Sequence, residues 1–400
     1  MTPQLTEQLM GPWARLLAVA AVAGTGLAVI SGAAGWGTAH DLLAALALPP
    51  LAGLVVLAWI SARRLLPAAV AALALFGLAA LLTSPGVHLA AASLALGASA
   101  LLAAQTARSP APPLGDFRDY VTLTKPRVMS LLLLTGGAAV FVGASGVPPW
   151  DVFFVTMVGL ALACGGAAAL NHYLDRDIDQ LMGERTARRP VAAGRIAPPL
   201  ALEFGIALSA ISFVLLDALV NVQTAVLALV GNLFYVFVYT RWLKRTTPQN
   251  IVIGGAAGAV PPLVGYAATA GGLGWAALAM FGIVFLWTPP HFWALALMIR
   301  EHYANAKVPM LPVVRGERET ARQIVLYTVV MVAATLVPVA FGIFGLLYGA
   351  AALVLGAVFA GMSWLLWREL TRPRAAALFH YSLLYLALLF VAMGADAAVL

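Results

Sequence analysis

The chain alternates long apolar runs with short polar connections. Thirteen runs stand out, at roughly 14–31, 42–60, 65–82, 88–105, 128–144, 152–171, 200–219, 223–240, 250–270, 276–298, 324–345, 347–366 and 376–398. Each approaches the ~20 residues that a helix needs to cross a ~30 Å hydrocarbon layer. Strand-like alternation is absent, and backbone groups in lipid must be satisfied within their own segment, so the pattern predicts helices. The expected fold class is an all-α polytopic membrane protein of about 13 transmembrane helices. The first run, with a single early Arg15, reads as an ordinary span and not as a cleaved leader.

Composition agrees. Hydrophobic residues make up 62% of the 400 positions and charged ones 10%, against about 25% charged in a soluble domain. The placement of charge gives an orientation. All 23 Lys and Arg fall at the very start of the first run or in every second connection, whereas "SGAAGWGTAHD", "TSPGV", "GASGVPPWD" and "TAGGLGW" contain none. Basic connections stay in the cytoplasm, so the N-terminus is expected inside and the C-terminus outside. The pI of about 9.8 is therefore a record of topology and no argument for nucleic acid. A lone cysteine, Cys164, excludes an internal disulfide framework.

The polar stretch "QTARSPAPPLGDFRDYVTLTKPR" (105–127) divides the chain. Two modules are expected: residues 1–110 with four helices and residues 111–400 with nine.

Chemistry concentrates where the sixth run ends, in "NHYLDRDID" (171–179). Asn171, Asp175 and Asp179 are four residues apart and stack on one helical face, ~6 Å apart along the axis, while Asp177 points elsewhere. Such a column suits a hard cation, and Mg²⁺ takes one or two carboxylates together with water and substrate phosphate oxygens. Arg185, Arg188, Arg189 and Arg195 follow, and arginine suits phosphate. Tyr239, Lys244 and Arg245 close the eighth run; Glu301, His302 and Asn305 follow the tenth. Acids and bases below an apolar bundle match a ligand with a polyanionic head and a long hydrocarbon tail, such as an isoprenyl diphosphate.

The N-x-x-x-D-x-x-x-D column in a nine-helix bundle resembles the UbiA superfamily of intramembrane prenyltransferases. "TKPRVMSLLLLT", "ARRPVAAGRI", "YTRWLKRTTPQNIVIGGAAGAVPPLVGYAA", "FLWTPPHFWALAL" and "VPMLPVVRG" resemble its branch that farnesylates heme B, from about residue 117 onward. The resemblance implies Mg²⁺ as cofactor, farnesyl diphosphate and heme B as substrates, and heme O as product. It also implies membrane lipid as surroundings, with heme A synthase or cytochrome oxidase assembly factors as partners. Carried onto this chain, it makes Asn171, Asp175, Asp179, Tyr239 and Lys244 catalytic, with Glu301 joining the acids at a metal. Lys125, Arg127, Arg185, Arg188 and Arg245 are expected at the diphosphate. Phe234, Tyr235, Tyr239, Trp287, Phe292 and Trp293 offer faces for an allylic cation. His302 stands where the family carries an acid, so either Glu301 takes over metal binding or the second ion is held differently. His291, two turns inside its span, is expected at the porphyrin or its iron, because ionisable groups at that depth are expensive and functional.

The first four runs carry His40 and His88, which begin two parallel spans at the same outer depth. They resemble half of a heme A synthase bundle, whose paired histidines hold heme; a heme-binding remnant or docking module is expected. Other readings remain open from sequence: prenyl transfer to a quinone or chlorin precursor, a transporter, or a non-enzymatic heme-binding assembly subunit. The transporter reading sits poorly with charge gathered at one membrane face.

Overall fold

A computed structural model describes residues 113–399, together with residues 20–24, 70 and 72–73. The first four expected spans, the boundary of the 1–110 module, His40 and His88 lie outside the described residues.

Among the described residues nine helices are long and apolar enough to cross a membrane: α1 Pro126–Ala144, α2 Trp150–Leu174, α3 Pro198–Leu219, α4 Val222–Thr246, α5 Asn250–Ala270, α6 Trp275–Met298, α7 Glu317–Ala340, α8 Leu346–Arg368 and α9 Arg372–Val399. They coincide with the last nine apolar runs. The chain is an integral membrane protein. Large apolar side chains such as Val337, Leu346, Val354 and Leu388 stay exposed on the outer faces, where lipid would surround them.

Local chemistry sets the helix ends. Pro126 and Pro198 occupy the first turns of α1 and α3, where the N–H that proline lacks has no intrahelical partner anyway. Asn221 caps α4: its Oδ1 accepts from the Thr224 N–H at 2.8 Å. Pro261 and Pro262 in α5, and Pro289 and Pro290 in α6, remain within helix, as prolines do in membrane bundles when neighbouring groups take up the freed carbonyls. Asp396 of α9 is buried because it accepts from the N–H groups of Gly345 and Tyr348, which open α8.

Close approach of helices relies on small residues. Where α1 crosses α5, a Cβ built on Gly265 would lie 2.0 Å from the Gly136 carbonyl oxygen. Charge gathers at one end of the bundle. Arg300 and Glu317 join the end of α6 to the start of α7, and Arg374 and Glu369 join α9 to α8. The opposite turns, 145–149, 220–221, 271–274 and 341–345, contain no charged residue.

Candidate active site

The end of α2, the start of α1, the end of α4 and the connection 175–197 converge at the charged end. α2 stops at Leu174, and Asp175 (φ −91, ψ 4) joins it to a short helix, Arg176–Leu181. The helical hydrogen bonds continue across the junction: Asp175 N donates to Asn171 O and Asp179 N to Asp175 O, both at 2.8 Å. The column read from the sequence therefore survives.

Its side chains are buried and tightly partnered. Asn171 donates through Nδ2 to Asp175 Oδ2 at 2.8 Å and to Thr240 Oγ1 at 3.1 Å. Its Oδ1 accepts from Lys125 Nζ at 2.5 Å. Lys244 Nζ lies 2.5 Å from Asp175 Oδ2, and Arg189 Nη1 lies 2.6 Å from Asp179 Oδ1. Arg245 forks onto Asp177 at 2.7 and 2.8 Å, caps the Leu174 carbonyl, and comes within 3.8 Å of Asp175 Oδ1. A ten-residue π-helical stretch, Phe234–Leu243, precedes Lys244 within α4. Such wide turns recur at functional sites. Here they carry Tyr235 and Tyr239, whose rings stack at 5.5 Å, and Thr240, which meets Asn171.

Two groups record the tension of crowding charge without water. Lys125 is in the left-handed region (φ 52), an uncommon state for a side-chain-bearing residue, and such strain gathers at functional sites. Burial lowers its ammonium to about 7, helped by the cations of Arg189 and Lys244 and opposed by Asp175 and Asp179. Burial also raises the Asp179 carboxyl, although Arg189 pulls the other way. The exposed Asp177 behaves oppositely: the Arg245 hydrogen bond holds it down at about 2.

Asp175 Oδ1 and Asp179 Oδ2 are buried and accept no hydrogen bond. A pair of bare carboxylate oxygens beside several cations fits Mg²⁺, which draws its remaining ligands from water and substrate. Among the described residues no three His, Cys, Asp or Glu side chains converge on one metal. Glu301 is exposed on the short helix Arg300–Asn305 and makes no such set with the aspartates.

The remaining candidates divide. Lys125, Tyr239, Lys244 and Arg245 lie at the cluster. Arg127 and Arg185 are exposed, and Arg188 pairs with Glu184 in solvent. Of the arginines in the connection, Arg189 is the one that reaches an acid of the column. Sequence spacing also passed over Thr240, Tyr303 and His172. Tyr303 is buried, and burial pushes its hydroxyl up to about 12, with Arg189 and Asp175 acting in opposite senses. Its one signal was an aromatic residue next to His302.

His291 lies deeper, in α6, between the rings of Trp287 at 4.3 Å and Phe379 at 4.8 Å. Its Nδ1 is 2.6 Å from Ser382 Oγ. The Ser382 hydroxyl donates to the Phe379 carbonyl at 2.6 Å, so its only hydrogen is committed and Nδ1 must be the donor. Nε2 keeps a free lone pair, the form in which imidazole binds a metal.

Comparison with known proteins gives the same outline. Protoheme IX farnesyltransferase of Symbiobacterium thermophilum is 54% identical over 281 residues, covering 70% of this chain and 94% of that protein. The enzyme of the same name from Gloeobacter violaceus is 53% identical over 279 residues, covering 70% and 91%. That of Roseiflexus castenholzii is 47% identical over 362 residues, covering 87% and 67%, and so extends into the stretch before residue 113. A solved digeranylgeranylglyceryl phosphate synthase superposes with a TM-score of 0.59 at 17% identity, covering 71% of this chain and 99% of its own. A UbiA homolog from Archaeoglobus fulgidus, bound to DMAPP and Mg²⁺, gives 0.53 at 17% identity, covering 70% and 99%. These two speak for the fold. The profile of the UbiA prenyltransferase family matches residues 131–390, a range that holds the acid column, the π-helical stretch and His291: the chain belongs to the UbiA prenyltransferase family.

Proposed function

We propose that this protein farnesylates heme B. The C–O bond of farnesyl diphosphate breaks, the allylic carbon joins a vinyl group of heme B, and water completes the hydroxyethylfarnesyl chain of heme O, with diphosphate released. The observation that carries the transfer chemistry is the pair of bare, buried oxygens on Asp175 and Asp179 beside four cations. The choice of heme as acceptor rests on similarity to relatives named protoheme IX farnesyltransferase.

Asp175 and Asp179 would hold Mg²⁺ together with the donor's phosphate oxygens. When bound, the metal supplies Lewis-acid stabilisation of the leaving charge. Lys125, Lys244 and Arg245 present their charge to the diphosphate and hold it in a site with little water, where such contacts are strong. Arg189 keeps Asp179 oriented. The stacked Tyr235 and Tyr239 rings offer π faces to the allylic cation. His291 presents Nε2 to the heme. The basic connections favour an orientation with this end at the cytoplasmic face of the cytoplasmic membrane and the N-terminus inside. The first module, with His40 and His88 as its candidate heme ligands, would serve as a heme-binding remnant or a docking module.

The test is direct. Full-length protein with Mg²⁺, heme B and farnesyl diphosphate should yield heme O by mass. Absence of that product, or prenylation of a quinone or chlorin precursor in its place, overturns the reading.

A further inference from the structure

His172 stands within the polar end of the bundle and has no part in the chemistry above. The residue is 2% exposed, and neither ring nitrogen has a hydrogen-bond partner. Its direction follows from helix periodicity. Gly165, Ala169 and His172 are spaced i, i+4 and i+7 and share one face of α2. Along that face a Cβ on Gly165 would lie 3.2 Å from Thr124 Cγ2, and Ala169 packs in one cluster with Leu123. One further turn carries His172 past Leu123 toward the charged end, where the neighbouring Asn171 accepts from Lys125 Nζ. Lys125, Arg189 and Lys244 are close enough to act on it electrostatically.

Burying an imidazole with both nitrogens unsatisfied is unfavourable, and native proteins rarely leave such a group without a partner. The orphaned atoms here are also grouped. Two nitrogens of His172, Asp175 Oδ1, Asp179 Oδ2 and Arg245 Nε all lack partners at this one end. Donors and carboxylate oxygens left bare together fit a ligand that brings both anionic oxygens and a cation. A metal-bound diphosphate is that ligand.

We infer that His172 is a binding contact for the diphosphate of the prenyl donor, donating a ring N–H to one of its oxygens. The inference deepens the prenyl-transfer reading and rests on it. The imidazole adds a donor that does not repel the neighbouring ammonium and guanidinium groups, and its rigid ring fixes where that phosphate oxygen lies.

The experiment uses the full-length protein titrated with inorganic diphosphate and Mg²⁺, read by thermal midpoint and intrinsic fluorescence. His172→Phe keeps the ring shape and removes both polar atoms. Its midpoint without ligand should equal or exceed that of the parent, because a buried unsatisfied group is gone. Its affinity for Mg-diphosphate should fall about tenfold, and KM for farnesyl diphosphate should rise by a similar factor with kcat little changed. His172→Gln, which retains an N–H donor, should recover most of the affinity. If the Phe variant does not fold, His172→Leu gives the same reading. Affinity in the Phe or Leu variant within about twofold of the parent means that water or packing accounts for the residue, and overturns the inference while leaving prenyl transfer intact. No response of the parent protein to Mg-diphosphate would instead remove the prenyl-transfer reading itself.

Discussion

His291 of α6 donates through Nδ1 to the hydroxyl of Ser382 on α9, 2.6 Å away, and that hydroxyl is itself tied to the Phe379 carbonyl. A serine on one helix thus selects the tautomer of a histidine on another. Ser382→Ala should leave the bundle assembled but free the ring to change tautomer and orientation. Heme affinity, followed by Soret titration, is expected to fall about 10- to 100-fold, the usual range for losing such a supporting partner. Ser382→Thr, which keeps the hydroxyl, should bind heme nearly as the parent does.

Asp175 is fully buried against Lys244. Asp175→Ala would strand a buried ammonium, and removing one partner of such a pair is destabilising by about 3–5 kcal/mol. Lost turnover in that variant therefore mixes folding with chemistry. Asp175→Asn is the cleaner change, because its amide oxygen still accepts from Lys244 while the anionic charge is gone. Turnover should drop to background with the thermal midpoint close to the parent's. Heme O formation at the parent rate in Asp175→Asn would remove Asp175 from the catalytic set.

The nine spans were legible because lipid imposes one rule on every segment, and each apolar run had to be a helix. The acid column was legible because i, i+4, i+8 spacing is local. What periodicity could not supply was the choice among neighbouring arginines: Arg185, Arg188 and Arg189 follow one another closely, and the path of the 182–195 connection decides that Arg189 reaches Asp179. Thr240 escaped notice for a related reason, since it meets Asn171 through π-helical turns. Ser382 is separated from His291 by 91 residues, and nothing local to either residue announces the other.

Lys125 gives a pH signature. Its folded value of about 7 lies below the ordinary 10.5, so between these limits the unfolded chain holds more protons than the folded one. Stability then rises with pH through that window, and the penalty of burying the ammonium is fully present below it. Thermal midpoints measured from about pH 6 to about pH 9 should climb in the parent protein. Lys125→Met should flatten this climb, gaining most relative to the parent at the acid end. The same variant loses a cation from the diphosphate site, so its KM for farnesyl diphosphate should rise. A parallel climb in both proteins would assign the pH dependence to another group.

The last expectation concerns the crossing of α1 and α5, which meet at the middle of α1. Gly265 faces the Gly136 carbonyl so closely that a Cβ would come within 2.0 Å of backbone, with the Gly136 carbonyl carbon only 2.9 Å away. Backbone on a packed helix cannot swing aside as a side chain does, so Gly265→Ala must push the two helices apart. Overpacking of this kind is destabilising by about 1–3 kcal/mol. The shift would also reach the active site, because α1 begins at Lys125, whose Nζ bonds Asn171 at 2.5 Å. Gly265→Ala should therefore lower the thermal midpoint and raise KM for the prenyl donor together, although the residue touches neither substrate. Gly258→Ala on the same helix, where a Cβ meets nothing within 4 Å, is the control and should change neither. Equal behaviour of the two variants would show that the α1–α5 crossing has room that its geometry denies.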